Sequence, residues 1–323
     1  MTSEYRQTAF KHTPVLLAEC QNQSKLKPQQ TFLDATLGGA GHSLEMAKLI
    51  GRGGTLIGID QDEVALSAAR ARLESLPDEQ RPHLELLRGN FGDMDDLLVS
   101  AEVPGVDAFL FDLGVSSVQI DTPSRGFSFK ENGPLDMRMD PGKQTRTAAE
   151  VINTLNAHDL TRIIRAYSDE KWASRIAEFI VRERANGRIE TSEQLVDIIK
   201  AAIPASARRA GGHPAKRTFQ ALRIEVNSEL DVLRRGLDAA VRWLNPGGRL
   251  VVISYHSLED RIVKETFNSF ANRCTCPPDL PVCMCGKQPI LDIVTRKPLL
   301  PTAAEIERNP RARSAKLRVA QKR

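Results

Sequence analysis

The segment Asp34–Ser43 carries the residue types best suited to binding a nucleotide-like ligand. It reads Asp-Ala-Thr-Leu-Gly-Gly-Ala-Gly-His-Ser and lies between a short apolar run and a helical pattern. Glycines let the backbone turn tightly, and a helix N-terminus offers free N–H groups to an anion. The anion would be a pyrophosphate in a dinucleotide enzyme, or the methionine carboxylate in a methyltransferase. The loop alone does not separate these two, nor does it exclude a plain tight turn, because Leu44 occupies the third glycine position of GxGxxG.

Two further residues point to a nucleoside ligand. Asp60 ends a second apolar run about 20 residues beyond the loop, where an acidic residue typically binds ribose hydroxyls. Its alternative role is a helix cap before Glu63. Phe91 follows a third run and could lie beside an adenine ring, or could simply belong to the core. The loop, the strand and the acid together favour a nucleoside site.

Asp112 ends a fourth apolar run, within the sequence Asp-Leu-Gly-Val-Ser-Ser-Val-Gln. Ligand-binding groups of open α/β sheets collect at the carboxyl ends of the strands, so we expect Asp112 to face the cleft. A carboxylate there could accept a hydrogen bond from an exocyclic amine and direct its lone pair at a methyl donor. The alternative is a structural acceptor for the following turn.

Histidines and serines give no evidence for a covalent nucleophile. His42 could touch a cofactor or pack in the first helical turn, and His256 could serve the site or a hydrogen-bond network. No G-x-S-x-G sequence is present.

Four of the five cysteines lie close together near the C-terminus, in two Cys-x-Cys pairs. Four soft ligands at this spacing could hold a structural Zn²⁺, although C-x-x-C pairs are more usual and a reduced or disulfide-prone loop is a rival interpretation. The four candidate ligands are Cys274, Cys276, Cys283 and Cys285.

Short β-rich runs alternate with helical patterns through the first third of the chain, which predicts parallel crossover units and a doubly wound α/β sheet. This alternation of strands and helices stops near residue 115 and resumes at residue 248. Helical spacing over 147–195 predicts an inserted helical subdomain, and a long amphipathic helix over about 219–241 should lead back to the sheet. The predicted strands are Thr31–Thr36, Thr55–Asp60, Leu84–Arg88, Val106–Asp112, Gly248–Ser254, Ile290–Thr295 and Lys316–Ala320.

Charge is unevenly distributed, although the net charge is only +4. Residues 296–323 contain nine Lys or Arg, and residues 208–223 contain several basic residues and no acidic one. Such clusters suit a phosphate backbone, or form a solvated face or loose tail. No signal sequence or apolar stretch of membrane-spanning length is found, so a cytoplasmic location without membrane contact is expected.

Long motifs along nearly the whole chain resemble those of the ribosomal RNA small-subunit methyltransferase H family, which N4-methylates a cytidine in the decoding region. The matching segments include 12–17, 38–43, 112–117, 125–129, 133–140, 218–223, 256–261 and 309–314. The resemblance implies a Rossmann-like methyltransferase sheet that uses S-adenosylmethionine, with small-subunit (16S) rRNA or the 30S particle as partner and the helical insertion helping to hold RNA. It implies cofactor contacts from Ala40, Gly41, His42, Asp60, Phe91, Asp112 and Gln119.

One departure from other amine methyltransferases concerns the target base. Many of them carry Asp-Pro-Pro-Tyr after the fourth strand, whereas this chain has Asp-Leu-Gly-Val, so no aromatic residue follows to stack the base. Phe127, Phe129 and Tyr255 are candidates for stacking, and core packing is the alternative for each.

These patterns divide the chain into three segments. Residues 1–124 form the first part of the methyltransferase domain, 125–215 the helical insertion for substrate recognition, and 216–323 the second part with the cysteine loop and a basic C-terminal tail. Asp112 is the predicted catalytic residue. A nicotinamide dehydrogenase and a non-catalytic ribosome-assembly factor are the alternative functions, and both a monomer and a homodimer remain open.

Overall fold

The structure, a computed structural model, describes residues 14–208, 212–272, 276, 281–282, 284–286 and 288–323. Two compact units divide the chain, one formed by Met1–Gly114 with Leu230–Arg323 and the other by Val115–Glu229. The divisions therefore fall after residues 114 and 229, whereas the sequence patterns place them after 124 and 215.

The first unit alternates strands and helices up to Asp112 and resumes the alternation after the second unit. Its strands and helices are α1 (Leu17–Ser24), β1 (Thr31–Asp34), α2 (Gly41–Ile50), β2 (Thr55–Asp60), α3 (Glu63–Glu74), β3 (His83–Arg88), α4 (Met94–Ser100) and β4 (Val106–Asp112). The second unit contains α5 (Ser117–Asp121), α6 (Ala148–Thr154), α7 (Ala157–Ser168), α8 (Ala173–Arg184), α9 (Ser192–Ala202), α10 (Ala205–Arg208) and α11 (Lys216–Asn227). The first unit then continues with α12 (Glu229–Trp243), β5 (Leu244–Ser254), α13 (Ser257–Ala271), β6 (Leu291–Ile293), α14 (Ala303–Arg308) and β7 (Lys316–Lys322).

One seven-stranded sheet organises the first unit, in the order β3-β2-β1-β4-β5-β7-β6. Strands β1 to β5 pair in parallel, and β7 is antiparallel to both β5 and β6. The strand order reverses between β1 and β4, and ligands of open α/β sheets bind at the carboxyl ends of strands at such a point. The predicted doubly wound α/β sheet is confirmed.

Both faces of this sheet are buried, which explains the continuous apolar runs of its strands. Successive residues of a strand point to opposite faces, so Leu33 packs in one apolar cluster and Phe32 in the other. Phe109 and Leu110 of β4 alternate in the same way. The rigid strand ends produced by this packing position the acidic residues that follow.

The basic C-terminal segment is not a loose tail, because β7 occupies an inner position of the sheet. Arg318 and Lys316 both bond the Asp260 carboxylate, with the Arg318 Nε 2.6 Å from Oδ1 and the Lys316 Nζ 3.2 Å from Oδ2. Burial raises the pKa of Asp260, but the hydrogen bonds from Arg318 and Lys316 outweigh it and lower the pKa below its ordinary value. These cations stabilise the fold, and their charge is locally compensated.

The second unit has a core of its own, supplied by its helices and by the loop that precedes α6. Asn227 at the end of α11 is buried and holds that loop: its Nδ2 donates to the Met137 carbonyl and its Oδ1 accepts from the Met139 amide, both at 2.8 Å. The same Oδ1 accepts from the Gln144 side chain at 3.0 Å. One amide side chain therefore fixes the irregular backbone at residues 137–144.

The prediction of one long helix over 219–241 is wrong in one respect. The helix is interrupted between α11 and α12 at Ser228, which has a left-handed backbone with φ 50°. Apolar spacing continues on both sides of the break, so periodicity alone does not reveal it.

Within the described ranges, no helix combines the length and the apolar character needed to cross a bilayer.

Candidate active site

The turn from β1 into α2 forms one wall of the candidate site. Gly38 and Ala40 both adopt left-handed backbone conformations, with φ of 50° and 57°. Among the described residues no side chain caps the N-terminus of α2, so the amides of its first turn lack an intrahelical partner. An uncapped helix start of this kind suits an anionic group such as a carboxylate.

Gly41 at the first position of α2 packs under the N-terminal segment. A Cβ there would lie 3.0 Å from the Pro14 Cγ, which is tighter than an ordinary contact. The next residue, His42, is buried, and its Nε2 lies 2.9 Å from the Val15 carbonyl oxygen. Residues 14–15 therefore fasten the start of the helix.

Asp34 fixes the shape of the turn and was not among the predicted site residues. Its Oδ1 accepts from the Thr36 amide at 3.0 Å, and its Oδ2 accepts from the Ser43 hydroxyl at 2.6 Å. Burial raises the pKa of Asp34, and the hydrogen bond from Ser43 opposes that rise. The sequence signal is an acidic residue at a strand end, two residues before a threonine.

Asp60 at the end of β2 closes the other side of the turn. Its Oδ2 accepts from the Gly38 amide at 2.8 Å and its Oδ1 from the Asp62 amide at 2.9 Å. Burial raises the pKa of Asp60 to about 6, despite these two amide donors. The helix cap of α3 is Asp62, whose side chain accepts from Val64, so the cap role considered for Asp60 is wrong.

Asp112 at the end of β4 stands beside this turn because β4 pairs with β1. Its amide donates to the Thr36 hydroxyl at 2.7 Å, and its Oδ1 accepts from the Tyr255 hydroxyl at 2.6 Å. The His42 Nδ1 lies 3.6 Å from Oδ2. Side-chain exposure is 22% for Asp112 and 6% for His42, so Asp112 is the member of this pair that a substrate can reach.

Tyr255 follows β5 and is the partner of Asp112 that the sequence did not indicate. Burial raises the pKa of its phenol well above the ordinary value, and the neighbouring Asp112 charge adds to the rise. The phenol therefore stays protonated and donates. The Glu259 Oε2 accepts from the Tyr255 amide at 2.7 Å, and His256 caps α13 within the same network.

Phe91 and Asn90 lie after β3, as the sequence indicated. The Phe91 ring packs edge-on against Phe111, with ring centroids 5.5 Å apart, and is half-buried. The Asn90 Nδ2 donates to the Gln61 side chain at 3.2 Å. Phe91 thus has one side in the core, while part of its surface stays accessible to a ligand.

Structural contacts account for four other residues that the sequence analysis considered. Gln119 belongs to the second unit, where it is buried and forms a capping box with Ser116. Phe127 and Phe129 pack in the core of that unit. The Tyr255 hydroxyl is taken by Asp112.

The zinc prediction falls largely outside the described residues. Cys274 and Cys283 are not among them, whereas Cys276 and Cys285 are. The Cys276 sulfur lies 3.2 Å from the Met284 amide. The hypothesis that these four cysteines bind zinc stays a prediction.

Known proteins match this chain in sequence over nearly its full length. The family described as the MraW methylase family matches residues 9–323. Three curated relatives carry names that begin "Ribosomal RNA small subunit methyltransferase H". The relative from Symbiobacterium thermophilum is 54% identical and aligns over 96% of both chains. Those from Geobacter sulfurreducens and Agathobacter rectalis are 52% and 50% identical, each over 97% of this chain and 99% and 98% of their own.

Proposed function

Because this chain belongs to the MraW methylase family, we propose that it transfers a methyl group from S-adenosylmethionine to N4 of a cytidine in the decoding region of small-subunit rRNA. Membership in a methylase family favours methyl transfer over the two alternatives, a nicotinamide dehydrogenase and a non-catalytic assembly factor. The single observation that carries the amine as acceptor is the partly exposed Asp112 carboxylate, held at the end of β4 by Tyr255 and Thr36.

The residues around the β1–α2 turn fit S-adenosylmethionine by their donor and acceptor chemistry. The uncapped α2 N-terminus, with Ala40, Gly41 and His42, suits the methionine carboxylate. The half-buried Asp60 carboxylate suits the ribose hydroxyls, and Phe91 presents an aromatic surface for adenine. Gln119 is proposed as a further contact on the family resemblance alone. The bound donor supplies a sulfonium methyl group, so the protein needs no covalent nucleophile.

Asp112 acts on the acceptor amine. A carboxylate is an acceptor-only group, so it takes a hydrogen bond from an exocyclic N–H and leaves the nitrogen lone pair directed away from itself. Fixing two reactants in this way lowers the activation barrier by about 7 to 11 kcal/mol. General acid–base catalysis contributes less, since it raises the rate by a factor of about 10² to 10⁴. We expect the target base to be turned out of its stack, as in other enzymes that act on bases.

The proposed partner is small-subunit rRNA, either naked or within the 30S particle. The names of the curated relatives and the basic residues of the chain support this choice. A ribosomal substrate also supports the predicted cytoplasmic location. Purified protein can be compared on naked 16S rRNA and on 30S particles that lack the modification.

The decisive experiment uses labelled S-adenosylmethionine and unmodified small subunits, followed by digestion and mass spectrometry of the nucleosides. Wild-type protein should form N4-methylcytidine. Asp112→Ala should form none while retaining its fold by circular dichroism. Near-wild-type turnover in Asp112→Ala, or a label at another base atom, contradicts the proposed mechanism or acceptor.

Structural zinc at Cys274, Cys276, Cys283 and Cys285 is a separate proposal, supported by the count and spacing of the thiols. Elemental analysis of protein purified without chelator should give about one zinc per chain. Replacing Cys276 and Cys285 by serine should lower that content. A wild type without zinc, or a variant with as much zinc as the wild type, would contradict the proposal.

A further inference from the structure

The buried His42 and the partly exposed Asp112 form a pair whose role extends beyond holding a cofactor. An exocyclic amine that gains a methyl group must lose a proton, and the proposed function names Asp112 as the group nearest that amine. We infer that His42, acting through Asp112, accepts this proton at Nδ1. The inference rests on the proposed function, because it concerns the proton released by that reaction.

The hydrogen bond at Nε2 decides which nitrogen of His42 is available. A backbone carbonyl oxygen can only accept, so the His42 Nε2, at 2.9 Å from the Val15 oxygen, must carry a hydrogen. In the neutral ring the other nitrogen, Nδ1, then has a free lone pair. The ring is 6% exposed, which fixes its orientation. Nδ1 is therefore the atom at which His42 gains or loses a proton.

Asp112 lies between Nδ1 and the surface. Its Oδ2 is 3.6 Å from the His42 Nδ1, while its Oδ1 is occupied by the Tyr255 hydroxyl at 2.6 Å. The two acceptor atoms are just beyond hydrogen-bond distance, so they must approach each other to share a proton. The greater exposure of Asp112 makes it the point of entry, and His42 lies behind it.

The other titratable groups around the pair come from several elements. Asp34 of β1 interacts with both members of the pair. Burial raises the pKa of Cys20 on α1 and that of Tyr255 well above their ordinary values, so neither competes for a proton near neutral pH. The remaining charged groups that act on these residues are Glu19, Glu259 and Glu305, all acidic.

The proton transfers balance. The N4–methyl bond forms while the methyl–sulfur bond breaks, and the electron pair of the broken bond stays on sulfur. The methylated nitrogen gives one proton to the Asp112 carboxylate. Asp112 passes the proton to the His42 Nδ1 once these atoms, 3.6 Å apart in the structure, have closed to hydrogen-bond distance. Asp112 returns to its ionised form, and His42 carries the charge until product release lets water remove the proton.

The first test observes the pair without substrate. Nitrogen-15 NMR of the unliganded protein should place the neutral-state hydrogen of His42 on Nε2. Asp112→Asn should change the nitrogen-15 chemical shift of the His42 Nδ1, because the group that faces this atom loses its charge. A neutral-state hydrogen on Nδ1, or an unchanged Nδ1 shift in the variant, would overturn the inference.

The second test uses His42→Gln in single-turnover methylation across pH. Glutamine keeps a side-chain N–H for Val15 but has no titratable nitrogen, so it separates anchoring from proton acceptance. We expect a rate loss of about 10²-fold at neutral pH. The acidic limb of the wild-type profile should move by about one pH unit or more, with S-adenosylhomocysteine affinity within about 3-fold. His83→Gln, whose side chain is 72% exposed, is the matched control and should resemble wild type.

The outcomes separate this inference from the proposed function. A wild-type enzyme that forms no N4-methylcytidine refutes the function, and with it this inference. Where the wild type is active, an unaltered rate and pH profile in His42→Gln refutes the role of His42 alone. Loss of rate only in parallel with loss of cofactor affinity also refutes it, because His42 would then act by binding.

Discussion

At the residue scale, Asp112 depends on neighbours that the sequence does not reveal. Asp60 and Asp112 could be predicted because each ends a strand, and strand ends of a parallel sheet meet at one edge. The partner of Asp112 could not be predicted, because Tyr255 is 143 residues away in sequence and its pairing follows from the adjacency of β4 and β5. The role of Asp34 was missed because its hydrogen bonds depend on the detailed shape of the turn.

Tyr255→Phe should slow transfer while leaving the cofactor site intact. The substitution removes the hydroxyl that donates to Asp112 but keeps the ring against Gly114. A hydrogen bond to a charged group is worth about 1.5 to 3 kcal/mol, so the single-turnover rate should fall by about 10- to 100-fold. S-adenosylhomocysteine affinity, measured by calorimetry, is the control and should change by less than about 2-fold. An unchanged rate would show that Asp112 needs no such support.

Cofactor affinity should fall in mildly acidic solution because of Asp60. Burial raises its pKa to about 6, so the free protein binds a proton there below that pH. Ribose hydroxyls favour the ionised carboxylate, so binding must release that proton. Affinity should stay constant above pH 6 and fall about tenfold per unit below it.

Calorimetry in buffers of different ionisation enthalpy measures this release directly. At pH 5.5 the wild type should release a proton on binding S-adenosylhomocysteine, and Asp60→Asn should not. Zero net proton exchange in the wild type would argue against Asp60 as the ribose acceptor.

At the element scale, strands were predicted better than helix junctions. Four of the five parallel strands lie within two residues of their predicted bounds, because buried strands read as apolar runs between turn residues. The break between α11 and α12 was missed, because apolar residues continue at helical spacing through Ser228. At this break Asn227 bonds the backbone of Met137 and Met139, which are distant in sequence.

Asn227→Ala should destabilise the second unit by about 2 to 4 kcal/mol, since it removes several hydrogen bonds from a buried group. The measurement is urea unfolding followed by tryptophan fluorescence. A Trp243→Phe background leaves Trp172 to report on the second unit. Asn186→Ala, at an exposed site, is the control and should change stability by less than about 0.5 kcal/mol. Equal effects from the two variants would contradict the assigned role of Asn227.

At the scale of the whole molecule, local charge density overstates the surface available to RNA. Several C-terminal cations are engaged within the first unit: Arg318 and Lys316 bond Asp260, and Arg323 bonds Asp292. The sequence shows the charges but not their partners, because the acidic residues lie in distant elements. Exposed cations are therefore the better candidates for phosphate contacts.

Replacing Arg296, Lys297 and Arg313, all exposed, by alanine should weaken RNA binding and flatten its salt dependence. Each lost phosphate contact lowers the slope of log affinity against log salt by about 0.7 to 0.9. Filter binding between about 50 and 200 mM salt measures the slope. The triple variant of Arg70, Arg81 and Arg88 changes net charge equally and is the control. Identical slopes for both variants would show that only net charge matters.

The distance in sequence between Asp112 and Tyr255 also governs when a newly made chain becomes competent. During synthesis, β1 to β4 and the glycine turn emerge first, and the whole second unit follows before β5 exists. The Asp112 carboxylate then has no phenol to hold it, and the sheet lacks three of its seven strands. The bond between Asp112 and Tyr255 therefore cannot form until β5 and the residue that follows it have been made.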